Sequence, residues 1–358
     1  MNAPKRIRVL IVDDSALVRK AMSDILSRDP EIEVVGTACD PYVARERILA
    51  LNPDVLTLDI EMPRMDGLTF LKILQKHRPL PVVVVSSITA AGSRAALEAL
   101  EAGAVEVLAK PASAYSLGAL ADQLARCVKG AAAARHRALP GLAAPPAPVI
   151  APRMAASGDA RQVIVLGAST GGTEAIKHVL TGLPNGLPGI CIVQHIPPFF
   201  SRAFAERLNT VCAFEVREAV EGDEVRPGLA LIAPGDYHIL LAREGGRYLV
   251  HVRQGPAVNH SRPSVDVLFS SAAECAGRHA LGVLLTGMGR DGALGMQKLK
   301  AAGAVNLAQN EQTCVVYGMP RAAVELGVVD RVLPLGHIPG AILGALQTSR
   351  PHPELHCR

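Results

Sequence analysis

Short apolar runs recur along the first third of the chain at 8–12, 34–37, 55–58, 82–85 and 105–108, and each reads as a buried strand. Between them lie segments with helical spacing, such as 16–26 and 69–76, and Pro30, Pro53, Gly67, Pro81 or Gly103 stand at the junctions. Five repeats of strand then helix predict a parallel sheet covered by helices on both faces. The pattern resumes later. Runs at 163–166, 190–194, 229–232, 280–285 and 305–308 predict further buried strands, with a helix over 174–180. Residues 211–253 differ, with short alternating runs broken by Glu221-Gly222-Asp223 and Pro234-Gly235-Asp236, so a β-rich insertion is expected there. The second half is therefore expected to be a doubly wound, mainly parallel α/β domain.

Between the two halves, periodicity is lost. Residues 130–158 hold 11 Ala, 5 Pro and 3 Gly in 29 positions, and a structureless stretch of that length is rare inside one domain. The expected organisation is a first domain over 1–128, an Ala/Pro-rich linker over 129–158 whose first residues can continue the preceding helix, and a second domain over 159–350. A length of 358 residues fits roughly two domains.

Composition narrows the function. Aromatics are 3% and Trp is absent, so the core rests on Val, Leu, Ile and Ala, and the composition argues against nucleic-acid binding through stacked aromatic platforms. Net charge is +4 with no basic block, so no nucleic-acid partner is expected. The seven cysteines are scattered and never paired as Cys-x-x-Cys, which reads as free thiols in a reducing compartment. The N-terminal apolar run stops at Asp13 and no window approaches 18 apolar residues, so a cytoplasmic protein without membrane insertion is expected.

Carboxylates mark the strand ends of the first half. Asp13 and Asp14 follow the first strand, Asp59 ends the third, Ser86 the fourth, and Lys110 with Pro111 the fifth. Groups just past the carboxyl ends of parallel strands meet in one crevice. Three carboxylates there call for a hard cation such as Mg²⁺, and a hydroxyl and an ammonium beside Asp59 suit phosphoryl transfer onto it. The segments LIVDDS (10–15), LDIEMPRMDG (58–67), VVSS (84–87) and AKP (109–111) make residues 1–128 resemble the receiver domain of two-component response regulators. The resemblance implies a flavodoxin-like fold with a five-stranded parallel sheet, and Asp59 as the acceptor of a phosphoryl group from a histidine kinase. It also implies Mg²⁺ held by Asp14 and Asp59, with Asp13 in support and the Glu61 carbonyl completing the set. Val107 stands where many receivers carry an aromatic residue, which argues against an aromatic-rotamer switch.

In the second half, Gly167-Ala168-Ser169-Thr170-Gly171-Gly172 follows a strand and precedes a helix. Gly-x-Ser-x-Gly can expose a nucleophilic hydroxyl on a tight turn, although such a turn also serves phosphate sites. Thr170 and Gly171, at the start of the helix, are candidate oxyanion donors. His195 ends a strand 26 residues on, at the same sheet edge, and is the candidate base; His260 competes for that role or lines the pocket. Asp291 is the candidate acid to orient the ring, with Asp266 the alternative, though its place after Ser264 suits a helix first turn.

The segments GASTGGTEAI (167–176), QHIPPFF (194–200), IAPGDYH (232–238), RPSVDVLF (262–269), LLTGMGRDGALG (284–295) and CVVYGMPRAA (314–323) resemble the catalytic domain of chemotaxis protein-glutamate methylesterases, which carry such a receiver on the same chain. The resemblance implies a triad of Ser169, His195 and Asp291, the Met288 backbone as a further oxyanion donor, and no cofactor for hydrolysis. Its implied substrates are glutamate methyl esters, and also glutamines, on cytoplasmic chemoreceptor helices. Asn306 and Asn310 stand where the family often has Thr and Asp. The alternatives are a non-enzymatic response regulator whose output domain binds a protein or DNA, and a nucleotide-binding domain using Gly167–Gly172. The helices expected around 264–277 and 291–302 show no basic recognition face.

Overall fold

A computed structural model describes residues 6–86, 89–110, 117–135 and 160–348. They form two compact units, one around a five-stranded sheet and one around a seven-stranded sheet.

The first unit runs β1 (Ile7–Val12), α1 (Ala16–Leu26), β2 (Ile32–Ala38), α2 (Pro41–Leu51), β3 (Val55–Asp59), α3 (Gly67–His77), β4 (Val82–Ser86), α4 (Ala90–Glu101), β5 (Glu106–Ala109) and α5 (Leu117–Arg135). The strands pair in parallel in the order β2-β1-β3-β4-β5. Both β3 and β4 are buried along their whole length, as the unbroken apolar runs require in a sheet covered on both faces. The first three helices begin where a side chain takes up free N–H groups: Ser15 for α1, Asp40 for α2 and Asp66 for α3. The last helix extends past residue 128 to Arg135. Ala131 is fully buried on it, and Lys129 pairs with Asp29 and Glu31, so the Ala-rich opening of the expected linker is helical.

The chain continues with β6 (Val163–Ala168), α6 (Gly172–Thr181), β7 (Gly189–Gln194), α7 (Phe200–Asn209), β8 (Glu215–Glu218), β9 (Asp223–Glu224), β10 (Leu229–Ile232), β11 (His238–Glu244), β12 (Arg247–Arg253), α8 (Val265–Cys275), β13 (Ala280–Leu284), α9 (Ala293–Ala301), β14 (Val305–Gln309), α10 (Met319–Glu325), β15 (Arg331–Leu333) and α11 (Ile338–Thr348). The large sheet is parallel throughout, in the order β15-β14-β13-β6-β7-β10-β8. Of the expected β-rich stretch, β8 and β10 join this sheet, and only β9, β11 and β12 make a separate antiparallel one. The central strands β6, β7, β10 and β13 are wholly buried. Each Val, Leu or Ile removed from water there contributes about 1.5–3 kcal/mol, which lets a core with few aromatics hold. Asn306 and Asn310 have local duties: the Asn306 amide donates to the carbonyls of Met296 and Val328, and Asn310 caps the turn Glu311–Thr313.

Candidate active site and phosphoacceptor site

At the carboxyl end of the first sheet, Asp59 and Asp13 are each 1% exposed, while Asp14 is open to solvent. Lys110 reaches back from the end of β5, its Nζ 2.7 Å from Asp59 Oδ2 and 3.1 Å from Asp13 Oδ2. Burial pushes the Asp59 carboxyl above its usual range, against the downward pull of Lys110. Burial also works against the Lys110 ammonium, yet its bond and attraction to Asp59 prevail and hold the proton more firmly than usual. Ser86 is fully buried at the end of β4, and its carbonyl accepts the Lys110 N–H at 2.7 Å. Glu61 lies two residues beyond Asp59, its N–H bonded to Asp59 Oδ1.

Asp13, Asp14 and Asp59 each offer a carboxylate oxygen, all within 4.8 Å of one another. Among the described residues Asp13 Oδ2 is buried without a hydrogen bond, and the Lys110 ammonium lies 3.1 Å from it. Hard, anionic oxygens so close together fit Mg²⁺.

In the second unit the sheet does the positioning. Ala168 and Gln194 face each other in register on β6 and β7, so Ser169 and His195 are the next residues on neighbouring strands, whose backbones lie about 4.8 Å apart. The crossing is sealed by His195 N–H to the Ala168 carbonyl (3.1 Å) and by the Gln194 amide to the Ser169 carbonyl (3.0 Å). On the other side of β6, Ser169 N–H donates to the Thr286 carbonyl just past β13 (3.0 Å). The turn into α6 puts its left-handed residue at Gly171 (φ 75°), where a β-carbon would strike Val315. Ser169 is 9% exposed, and among the described residues its hydroxyl makes no hydrogen bond. Nor do the N–H groups of Thr170 and Met288 donate to a backbone carbonyl of a described residue, which leaves them available as oxyanion donors.

His195 Nε2 lies 2.8 Å from Asp291 Oδ2. Asp291 is 2% exposed and has a full set of donors: the N–H groups of Val265 (2.7 Å) and Asp266 (3.1 Å), the Ser264 hydroxyl (2.8 Å) and the Asn259 amide (3.1 Å). Ser264 is the N-cap of α8 but its side chain caps nothing; Asp291 takes over the free N–H groups, on the positive end of the helix. Burial alone would raise the Asp291 carboxyl, yet the His195 bond and these donors bring it down to about 2. An acid so held stays ionised and stabilises an imidazolium beside it. Asp266 serves otherwise, accepting the Gly295 N–H at the start of α9 (2.6 Å) and the Asn259 amide (2.7 Å).

His260 is exposed on a turn, and Ser261 beside it is the residue whose side chain reaches the ring: its Oγ is 3.3 Å from His195 Nδ1. Asn259, Ser261 and the Ser264 hydroxyl are absent from the sequence reading as site residues. Only their place beside the Arg262–Pro263–Ser264 segment hinted at them.

Gly287 packs against Ser169. A β-carbon there would lie 2.3 Å from Met319 Sδ and 2.8 Å from Ser169 Cβ. Gly287→Ala is therefore expected to cost about 1–3 kcal/mol by overpacking and to slow hydrolysis of a simple chromogenic ester about 10–100-fold by shifting Ser169. A fully active Ala variant with an unchanged melting temperature would contradict that packing.

The CheB methylesterase family matches residues 164–342, and the response regulator receiver domain family matches residues 9–122. A protein-glutamate methylesterase/protein-glutamine glutaminase of Syntrophus aciditrophicus (strain SB) is 52% identical over 340 residues, covering 94% of this chain and 98% of its own. One from Anaeromyxobacter dehalogenans (strain 2CP-C) is 55% identical over 340 residues, covering 95% of each. Among solved structures, the Thermotoga maritima CheB methylesterase catalytic domain is 38% identical with a TM-score of 0.50, covering 54% of this chain and 99% of that domain.

Proposed function

Because the chain belongs to the CheB methylesterase family and carries a response regulator receiver domain ahead of its catalytic part, we propose that it removes methyl groups from glutamate γ-methyl esters on cytoplasmic chemoreceptor helices under control of phosphorylation at Asp59. The observation that carries the reading is the bond from His195 to a saturated, ionised Asp291, one register step from the free hydroxyl of Ser169.

In this reading His195 takes the Ser169 proton as Oγ attacks the ester carbonyl carbon. The N–H groups of Thr170, Gly171 and Met288 face the oxyanion, with His260 at the rim of the pocket. As the carbonyl re-forms, the bond to the methoxy oxygen breaks and the imidazolium returns the proton, releasing methanol. Water, activated by the same ring, then frees the glutamate and restores Ser169. A glutamine side chain would follow the same course and release ammonia. Hydrolysis needs no cofactor.

The receiver assignment covers 1–128, the linker 129–158 and the catalytic domain 159–350. Asp13, Asp14, Asp59 and the Glu61 carbonyl would hold Mg²⁺, which when bound supplies positive charge facing phosphoryl oxygens. Lys110 and Ser86 flank the acceptor carboxylate, and a histidine kinase is the phosphodonor. Phosphorylation replaces the single charge of the Asp59 carboxylate with a phosphoryl group carrying about −1.5 to −2 and relieves restraint on the catalytic part. Among the described residues no helix is long and apolar enough to cross a membrane, in keeping with action in the cytoplasm on the cytoplasmic parts of receptors. No nucleic-acid partner enters this reading.

The test is methanol release from methylated receptor fragments by the full chain. A small phosphodonor with Mg²⁺ should raise the rate, and the Asp59→Asn protein should stay at the basal rate under both conditions. No methanol from the wild type, with or without phosphodonor, ends the proposal.

A further inference from the structure

The turn over residues 258–261 brings a hydroxyl to the His195 ring. Asn259 (φ 49°) and His260 (φ 60°) are both left-handed, and Ser261 N–H to the Val258 carbonyl (2.9 Å) and Val258 N–H to the Ser261 carbonyl (3.1 Å) close a two-residue hairpin turn. The Asn259 amide ties this turn to the carboxylates of Asp266 and Asp291. Ser261 is thus held by main-chain bonds independent of its own side chain. Its hydroxyl lies 3.3 Å from His195 Nδ1, while Nε2 is 2.8 Å from Asp291, so the imidazole is pinned at both nitrogens.

We infer that Ser261 is a positioning residue that holds His195 with Nδ1 as the nitrogen exchanging a proton with Ser169, an inference resting on the proposed roles of Ser169 and His195. Asp291 is ionised and can only accept, so Nε2 keeps its hydrogen and the lone pair falls on Nδ1. A hydroxyl both donates and accepts. Ser261 donates to the one Nδ1 lone pair in the resting neutral ring, gives that lone pair up to the Ser169 O–H as the ester binds, and turns its oxygen to accept from Nδ1–H once the ring has taken the Ser169 proton. That proton then passes to the departing methoxy oxygen, so Ser261 ends each turnover unchanged. With Ser261 gone, one bond remains and the ring can tilt about it, away from the line of proton transfer.

Labelling the full-length protein with a fluorophosphonate, and locating the adduct by mass spectrometry, reads nucleophile readiness without any receptor. The expected adduct is on Ser169. Ser261→Ala should label about tenfold more slowly, while melting at the wild-type temperature because its main-chain bonds persist. Ser261→Thr, which keeps the hydroxyl, should recover most of the rate. Equal rates for wild type and Ser261→Ala overturn the positioning role and leave the esterase reading standing. Equal slowing in the Ala and Thr variants overturns it too, since shape and not the hydroxyl would then matter. An adduct on Ser261 reverses the two hydroxyls and overturns it. No adduct on either serine overturns the esterase reading, and the inference with it.

Discussion

Ser169→Ala should bring methanol release down by about 10⁴–10⁶-fold while leaving the fold intact. The side chain is slightly exposed and makes no hydrogen bond among the described residues, so its removal leaves no buried partner stranded. The main-chain bonds that seat the residue, to Thr286 and from the Gln194 amide, do not involve the hydroxyl. Loss of rate should therefore come with an unchanged melting temperature and unchanged receptor binding. A residual rate near that of the wild type would mean that another group attacks the ester.

Asp291→Asn is expected to lower the rate about 10⁴-fold, and for a reason beyond charge. An amide nitrogen turned towards Nε2 would donate to it, forcing the ring hydrogen onto Nδ1 and leaving no lone pair for the Ser169 proton. Turned the other way, the amide sets its donors against the Asp266 N–H and the Asn259 amide, which Oδ1 of the carboxylate now accepts. Stability should suffer as well. The Asp291 carboxyl is near 2 in the folded chain against an ordinary 3.8, so its contribution is present above about pH 4 and is lost as the pH falls through 2. That difference is worth about 2 kcal/mol. Denaturant melts at pH 4 and pH 2 should show the wild type losing about this amount, and the Asn variant, already weaker at pH 4, losing less. Equal losses in both proteins would place the acid sensitivity elsewhere.

Much of this was legible in the residues, because parallel strands write themselves as unbroken apolar runs and put chemistry at their carboxyl ends. Asp59, Lys110, Ser169 and His195 all stand at such ends, and the register between Ala168 and Gln194 realises the juxtaposition that spacing along the chain suggested. Asp291 was legible as a residue past a strand, but its role as the cap of α8 was not. Helix capping is normally read from the residue just before the helix, and there Ser264 stands, its hydroxyl turned to Asp291. Ser261 and Asn259 escaped for a similar reason. A left-handed turn has no periodic signature, and the polar atoms it delivers gain meaning only from partners 32 and 66 residues distant.

Ser169, His195 and Asp291 come from or just beyond three neighbouring strands, β6, β7 and β13, yet Asp291 is synthesised 96 residues after His195. A growing chain can assemble the hydroxyl and the ring early, but the third strand that bears the acid must travel back across the sheet to insert beside the first. Such non-local pairing is slow, and it comes late in translation. On the proposed mechanism an unfinished polypeptide on the ribosome lacks the acid that completes the site, and truncation anywhere before that strand is expected to yield an inert product.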